Sequence, residues 1–193
     1  MPVTGKDDAA IKAQLRAKYR ELRSQQSREE RDRKCALITN AVLALDQVAR
    51  AKCVYSYVAF PGEVETRELI LSLLRSGKTV LAPGPAATLR PQETVEQVIA
   101  EGSGFRLEPL AHPDISQVDL FVVPGIVWDK HGYRVGFGSG YFDRLLAVAP
   151  ALSSSVGLSF DFQVIDHVPH EDWDIPVEVL VTETSVTAAA SRR

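Results

Sequence analysis

Cysteine is scarce in this chain: Cys35 and Cys53 are the only two, with no CxxC pair and no Cys/His cluster. That excludes a disulfide framework and a thiolate zinc site, and it points to a reducing compartment. No apolar run approaches the ~18 residues that span a bilayer. The opening Met1-Pro2-Val3-Thr4-Gly5-Lys6-Asp7-Asp8 lacks the apolar stretch of a secretory leader, so a cytoplasmic protein without a membrane partner is expected. Glycine and proline, 12 and 11 of 193 residues, are too few for a fibre or a long linker. No Ser/His/Asp or Cys/His arrangement offers a side-chain nucleophile. His112, His131, His167 and His170 are scattered, and nothing in the sequence marks them as metal ligands.

What is present suits one compact domain spanning residues 1–193, with 45% apolar residues recurring in regular segments. The net charge of −3 is unevenly spread. Residues 1–50 hold 11 Lys/Arg against 7 Asp/Glu, whereas the remainder is acidic. The basic residues alternate with acids and apolar positions and lack interleaved aromatic platforms. A local anion site therefore fits better than a nucleic-acid arm.

Ile11, Leu15, Tyr19 and Leu22 recur at helical spacing, so a first helix is expected over about 8–24. Ser27 and Glu30 have the spacing of a capping box for a second helix, its buried face carrying Leu37, Ile38, Ala41, Val42 and Leu45. Cys53–Val58 reads as a buried strand. Thr66 caps a third helix (Leu69, Ile70, Leu73, Leu74) that Gly77 ends, and Lys78–Ala82 is the next strand. The stretch from Ala86 to about 110 reads as loop and short strands. Val118–Pro124 reads as a central strand, and Ser155–Leu158 and Val179–Thr182 as the last two. Strands alternating with helices imply an α/β fold, a mainly parallel sheet flanked by helices, with ligands beyond the carboxyl ends of its strands.

The densest motif is Gly132-Tyr133-Arg134-Val135-Gly136-Phe137-Gly138-Ser139-Gly140-Tyr141-Phe142-Asp143-Arg144. Glycines at alternate positions let a backbone approach a ligand closely. The loop runs into a helix whose free N–H groups would favour phosphate. Arg134 and Arg144 add cations, and Asp143 at the junction could hold Mg²⁺. A tight turn capped by Asp143 would look much the same. The motif is neither a Walker A loop, lacking Gly-Lys-Ser/Thr, nor a dinucleotide fingerprint, since its glycines start about a dozen residues after the strand.

Val123-Pro124-Gly125-Ile126-Val127-Trp128-Asp129 followed by this loop resembles the signature of the 5-formyltetrahydrofolate cyclo-ligase family. Lys12 and Arg16, Pro61-Gly62-Glu63-Val64-Glu65-Thr66, and Trp173-Asp174-Ile175-Pro176-Val177-Glu178 before Val181-Thr182-Glu183 match the same family in the same order, over roughly residues 8 to 184. The resemblance implies a single-domain, Rossmann-like three-layer fold of the transferase/isomerase type. It also implies an ATP- and Mg²⁺-dependent enzyme that closes 5-formyltetrahydrofolate to 5,10-methenyltetrahydrofolate. Its partners would be reduced folate and ATP, and the chain would be a monomer.

Carried over residue by residue, the resemblance gives ATP to Lys12, Arg16, Arg134, Gly136, Phe137, Gly138, Ser139, Gly140, Tyr141 and Phe142. It gives the folate to Val58, Glu63, Phe105, Gly138, Ser139, Gly140 and Tyr141, with Arg134 and Tyr141 positioning the reactants. It gives the metal to Asp143 and Glu178. Glu178 stands where relatives often have Asp, and Asp174 is the nearby alternative ligand. Ser139 replaces the more usual Gly or Lys, and Phe142 replaces a Tyr. These departures leave open a catalytically weak folate- or nucleotide-binding relative with a regulatory role. Trp128 and Trp173 read as packing residues.

Overall fold

The computed structural model describes residues 5–83, 105–108 and 114–189, with the backbone alone for 5–7 and 105–108. The chain begins with a long helix, α1 (Gly5–Ser24), then α2 (Arg28–Leu43) and a short α3 (Asp46–Arg50). Strand β1 (Cys53–Ser56) is followed by α4 (Arg67–Arg75), β2 (Thr79–Pro83) and β3 (Phe105–Glu108). Strand β4 (Leu120–Val123) leads into a hairpin of β5 (Val127–Asp129) and β6 (Arg134–Val135), then α5 (Tyr141–Ala147). The last elements are β7 (Ser154–Leu158), a 3₁₀ turn at Asp161–Gln163, β8 (Val164–Ile165), β9 (Val179–Val181) and β10 (Val186–Ala188).

Among the described residues, seven strands form the main sheet in the order β10-β9-β7-β4-β1-β2-β3. All neighbours are parallel except β10, which runs antiparallel to β9. The order reverses between β1 and β4, which pair through Val54↔Leu120, Tyr55↔Phe121 and Ser56↔Val122. In an open parallel sheet such a reversal leaves a crevice beyond the strand ends. A separate small sheet, β6-β5-β8, stands beside it.

The strands are apolar on both faces because both faces are covered. Val54, Val80, Leu120 and Val122 pack with Ile38 and Val42 of α2 and Leu69, Ile70 and Leu73 of α4. On the opposite face Tyr55, Leu81, Phe121 and Val123 pack with Trp128 and with Leu145 and Leu146 of α5. Each of these large side chains gains about 1.5–3 kcal/mol from full burial.

Local chemistry explains most helix ends. The Ser27 side chain accepts from the Glu30 N–H at 3.1 Å, half of the expected capping box. Glu30 turns instead to Lys34 at 2.7 Å. Thr66 does not cap α4 with its hydroxyl, which donates to the Tyr57 carbonyl at 2.8 Å and so ties the helix start to the strand end. Gly77 takes φ +80°, the left-handed stop that α4 needs. Leu37, expected in the core, is instead 43% exposed, because Ile38 and Val42 already fill the face of α2 toward the sheet.

Candidate active site

A cavity of about 960 Å³ opens at the strand-order reversal. Its floor comes from the ends of β1 and β4: Tyr57 and Val58, then Phe60 and Glu63, and Pro124. One wall is the loop from Arg134 to Asp143, and another is the segment with Trp173 and Asp174. Lys12 and Arg16 reach it from α1. Among the described residues, four cations (Lys12, Arg16, Arg134, Arg144) thus share the cavity with three carboxylates (Glu63, Asp143, Asp174).

Helix α1 is docked by its basic stripe rather than solvated along it. Lys12 Nζ lies 2.7 Å from Asp174 Oδ2, and Arg16 Nε donates to the Gly136 carbonyl at 2.8 Å. The stripe continues through buried Tyr19 to Arg23, only 7% exposed, whose Nη2 donates to the Gly125 carbonyl. Burial lowers the Arg23 pKa, and the nearby Glu63 carboxylate partly restores it. Arg23 thus sits under the Phe60–Glu63 turn and joins the ends of β1 and β4. Its i, i+4, i+7, i+11 relation to Lys12, Arg16 and Tyr19 was the signal available in the sequence.

Glu63 is 4% exposed, and its Oε2 accepts from the Phe60 N–H at 2.7 Å, so the turn fixes the carboxylate at the cavity floor. Tyr57, fully buried behind it, donates its hydroxyl to the Val64 carbonyl at 2.9 Å; burial pushes its phenol pKa well up.

The glycine-rich loop is shaped by Gly138 at φ +106° and Gly140 at φ +62°, both unfavourable for residues bearing a Cβ. Arg16 lies against Gly138, 3.8 Å from where a Cβ would stand. The dozen residues between β4 and the loop are taken up by the β5–β6 hairpin, which explains why the glycines do not follow a strand directly. Helix α5 has only seven residues, so its dipole adds little, and attraction for an anion falls to the cations and the loop N–H groups.

Arg134 and Asp143 form a clamp. Arg134 Nη2 donates to Asp143 Oδ1 at 2.8 Å and Nη1 to the Ile175 carbonyl at 2.7 Å. The Ile175 N–H also donates to Asp143 Oδ1 at 3.2 Å. Arg134 therefore locks the loop to the 173–175 segment. Tyr141 places its hydroxyl 2.5 Å from that of buried Tyr55, and Phe142 packs edge-on to Tyr55 and Tyr141. Phe137 is 45% exposed and lies under Arg20 and against Phe60.

Three expectations need correction, and one lies beyond view. Glu178 does not line the cavity: its N–H donates to Ser155 and its carbonyl accepts from Ala189, which ties it between β7 and the edge strand. Of the two acids in the 173–178 segment, Asp174 is the one that shares the cavity with Asp143. Trp128 is a fully buried packing residue, but Trp173 is 70% exposed on the cavity wall. The histidines are not all scattered. His167 and His170 meet Asp129, with ligand atoms within 4.8 Å of one another. Phe105 contributes backbone to β3, and its side chain lies outside the described residues.

A doubly wound parallel sheet with its cavity at the switch point, walled by a glycine loop and faced by helix-borne cations, places the chain in the Rossmann-like α/β class. The chain belongs to the 5-formyltetrahydrofolate cyclo-ligase family, whose model matches residues 8–183. It is 31% identical to the Escherichia coli K12 5-formyltetrahydrofolate cyclo-ligase over 149 residues, 72% of this chain and 82% of that protein. It is 28% identical to the Haemophilus influenzae 5-formyltetrahydrofolate cyclo-ligase over 179 residues, 87% and 96% of the two chains. The NMR structure of Aquifex aeolicus 5,10-methenyltetrahydrofolate synthetase superposes with a TM-score of 0.73 at 30% identity, covering 95% of each chain.

Proposed function

We propose that this chain, acting as one domain, cyclises 5-formyltetrahydrofolate to 5,10-methenyltetrahydrofolate at the expense of ATP, with release of ADP and of phosphate that carries away the formyl oxygen. The observation that carries the reading is convergence. Lys12, Arg16, Val58, Glu63 and the 134–143 loop, separated in sequence, wall one cavity. Its volume stands near the top of the range of about 300–1,000 Å³ usual for ligand sites, as two substrates held together would need.

An N-formyl carbonyl is an amide and a poor electrophile. Its oxygen attacks the γ-phosphorus, ADP departs, and an iminium carbon bearing a phosphate leaving group results. The N10 amine attacks that carbon, loses its proton, and expels phosphate. The second step is intramolecular, so orientation supplies much of the rate. Both steps need positioning and charge stabilisation rather than a nucleophilic side chain.

In this reading Lys12, Arg16 and the main chain from Gly136 to Phe142 hold the nucleotide phosphates. Val58, Glu63 and Tyr141 hold the folate, with Glu63 accepting from the donor-rich pterin edge. The Arg134–Asp143 clamp sets the loop. The cavity's carboxylates suit Mg²⁺, a hard cation that takes oxygen ligands: Asp143 and Asp174 would hold it. Bound there, the ion would neutralise charge developing on the phosphates. Two buried free thiols accord with a reducing compartment, and among the described residues no helix is long and apolar enough to cross a membrane.

Incubating purified chain with 5-formyltetrahydrofolate, ATP and Mg²⁺ tests the proposal. Methenyl-folate absorbance and ADP should rise together. Binding of both substrates with no absorbance change would overturn it.

A further inference from the structure

We propose that Asp129, His167 and His170 form a site for a late first-row divalent cation such as Zn²⁺, separate from the substrate cavity. The paired strands β5 and β8 create it. Trp128↔Val164 and Asp129↔Ile165 run in parallel register, so the residues just beyond both strands emerge side by side. Asp129 is fully buried, and Val168, between the two histidines, is buried with it. The Asp129 carboxylate accepts from the N–H groups of His131 at 2.9 Å, Tyr133 at 3.1 Å and Val168 at 3.0 Å. A carboxylate offers about four lone-pair positions, so one remains for a cation. Among the described residues no lysine or arginine forms an ion pair with it.

One of the two imidazoles is preset for ligation. His170 Nδ1 lies 3.0 Å from the Val168 carbonyl, and its ring stacks on Tyr133 at 3.6 Å and 8°. Donation from Nδ1 fixes the tautomer that leaves Nε2 as a ligand, the usual outer support of a metal-bound histidine. The His167 ring stands 5.5 Å away. The three ligand atoms lie within 4.8 Å. Neighbouring ligands of tetrahedral zinc are about 3.3 Å apart, a closure that falls to rotation of the exposed His167 ring. Two nitrogens and one oxygen select zinc-like ions over Mg²⁺ or Ca²⁺, which require oxygen.

None of the three residues lines the cavity, so the ion does not meet substrate. It anchors one end of a strap whose other end does. Beyond His170, the Glu171 N–H donates to Asp174 Oδ2 at 3.0 Å, the same oxygen that holds Lys12, and Trp173 and Asp174 form the cavity wall. The cation therefore braces that wall.

Titration of the untagged full chain with Zn²⁺ alone, followed by calorimetry, should give one site per chain that excess Mg²⁺ does not displace. His167→Ala and His170→Ala should each weaken it by at least about tenfold, the lower end of what even an outer partner of a metal contributes. His131→Ala should leave it unchanged. Amide exchange in residues 166–174 should slow with Zn²⁺ in the parent chain and not in the double histidine variant. No zinc binding, or binding equal in the double variant, would overturn the site. Binding without slower exchange would overturn the bracing role.

Discussion

Arg23 carries a charge into a nearly water-free position between the ends of β1 and β4, and it faces Glu63 there. Removing one member of such a pair leaves the other's charge without compensation. Arg23→Met should therefore cost about 3 kcal/mol, and Arg23→Met with Glu63→Gln should cost less than Arg23→Met alone. Thermal unfolding of the two variants checks this; an equal or larger loss in the double variant would disconnect the residues. Asp143 has two tasks, holding Arg134 and the Ile175 N–H, and in our reading also the metal. Asp143→Asn keeps an acceptor oxygen for both donors, so stability should fall by only about 1–2 kcal/mol. Turnover at limiting Mg²⁺ should nevertheless fall about a hundredfold, as when a preorganised electrostatic group is removed. A variant with near-parental turnover under those conditions would remove Asp143 from the metal site.

Among elements, β5 depends on a single large side chain. Trp128 is fully buried, and a Cβ would stand 2.5 Å from its ring at Gly125 and 2.4 Å from it at Gly157 of β7. Gly157→Ala should overpack this contact and cost about 1–3 kcal/mol, and Gly157→Ala with Trp128→Leu should recover part of the loss. Melting temperatures of the single and paired variants decide it. The same region shows why some elements could be read from sequence and others not. Helices α1, α2 and α4 and strands β1, β2, β4, β7 and β9 announce themselves, because periodic apolar residues face a local partner. The two-residue β6 and β8 are too short to show a period, and β10 is a short, largely exposed edge. In the site, Lys12, Arg16, Glu63 and the glycine loop were legible as motifs. Asp174 stood in a motif but only as the alternative to Glu178, and the exposure of Trp173 and the Asp129–His167–His170 cluster were not legible, since only tertiary pairing produces them.

For the whole molecule, burial in the main core gives a pH dependence. The Cys35 thiol and the Tyr57 phenol are both raised by burial above ordinary values of 9.0 and 10.0. The unfolded chain releases these protons first as pH climbs. The stability they contribute is therefore complete below about pH 9 and lost as pH rises through their folded values. Melting temperature should fall between about pH 9 and pH 11, and less steeply in Tyr57→Phe, which removes the ionising group. An identical slope in that variant would locate the alkaline transition elsewhere.

The antiparallel edge strand of the main sheet has a consequence for solution behaviour. By folding back on β9, β10 occupies main-chain donors and acceptors that would otherwise point outward at the rim of the sheet. A chain cut short before Ser185 would bare that rim, and the exposed backbone would recruit strands from other molecules.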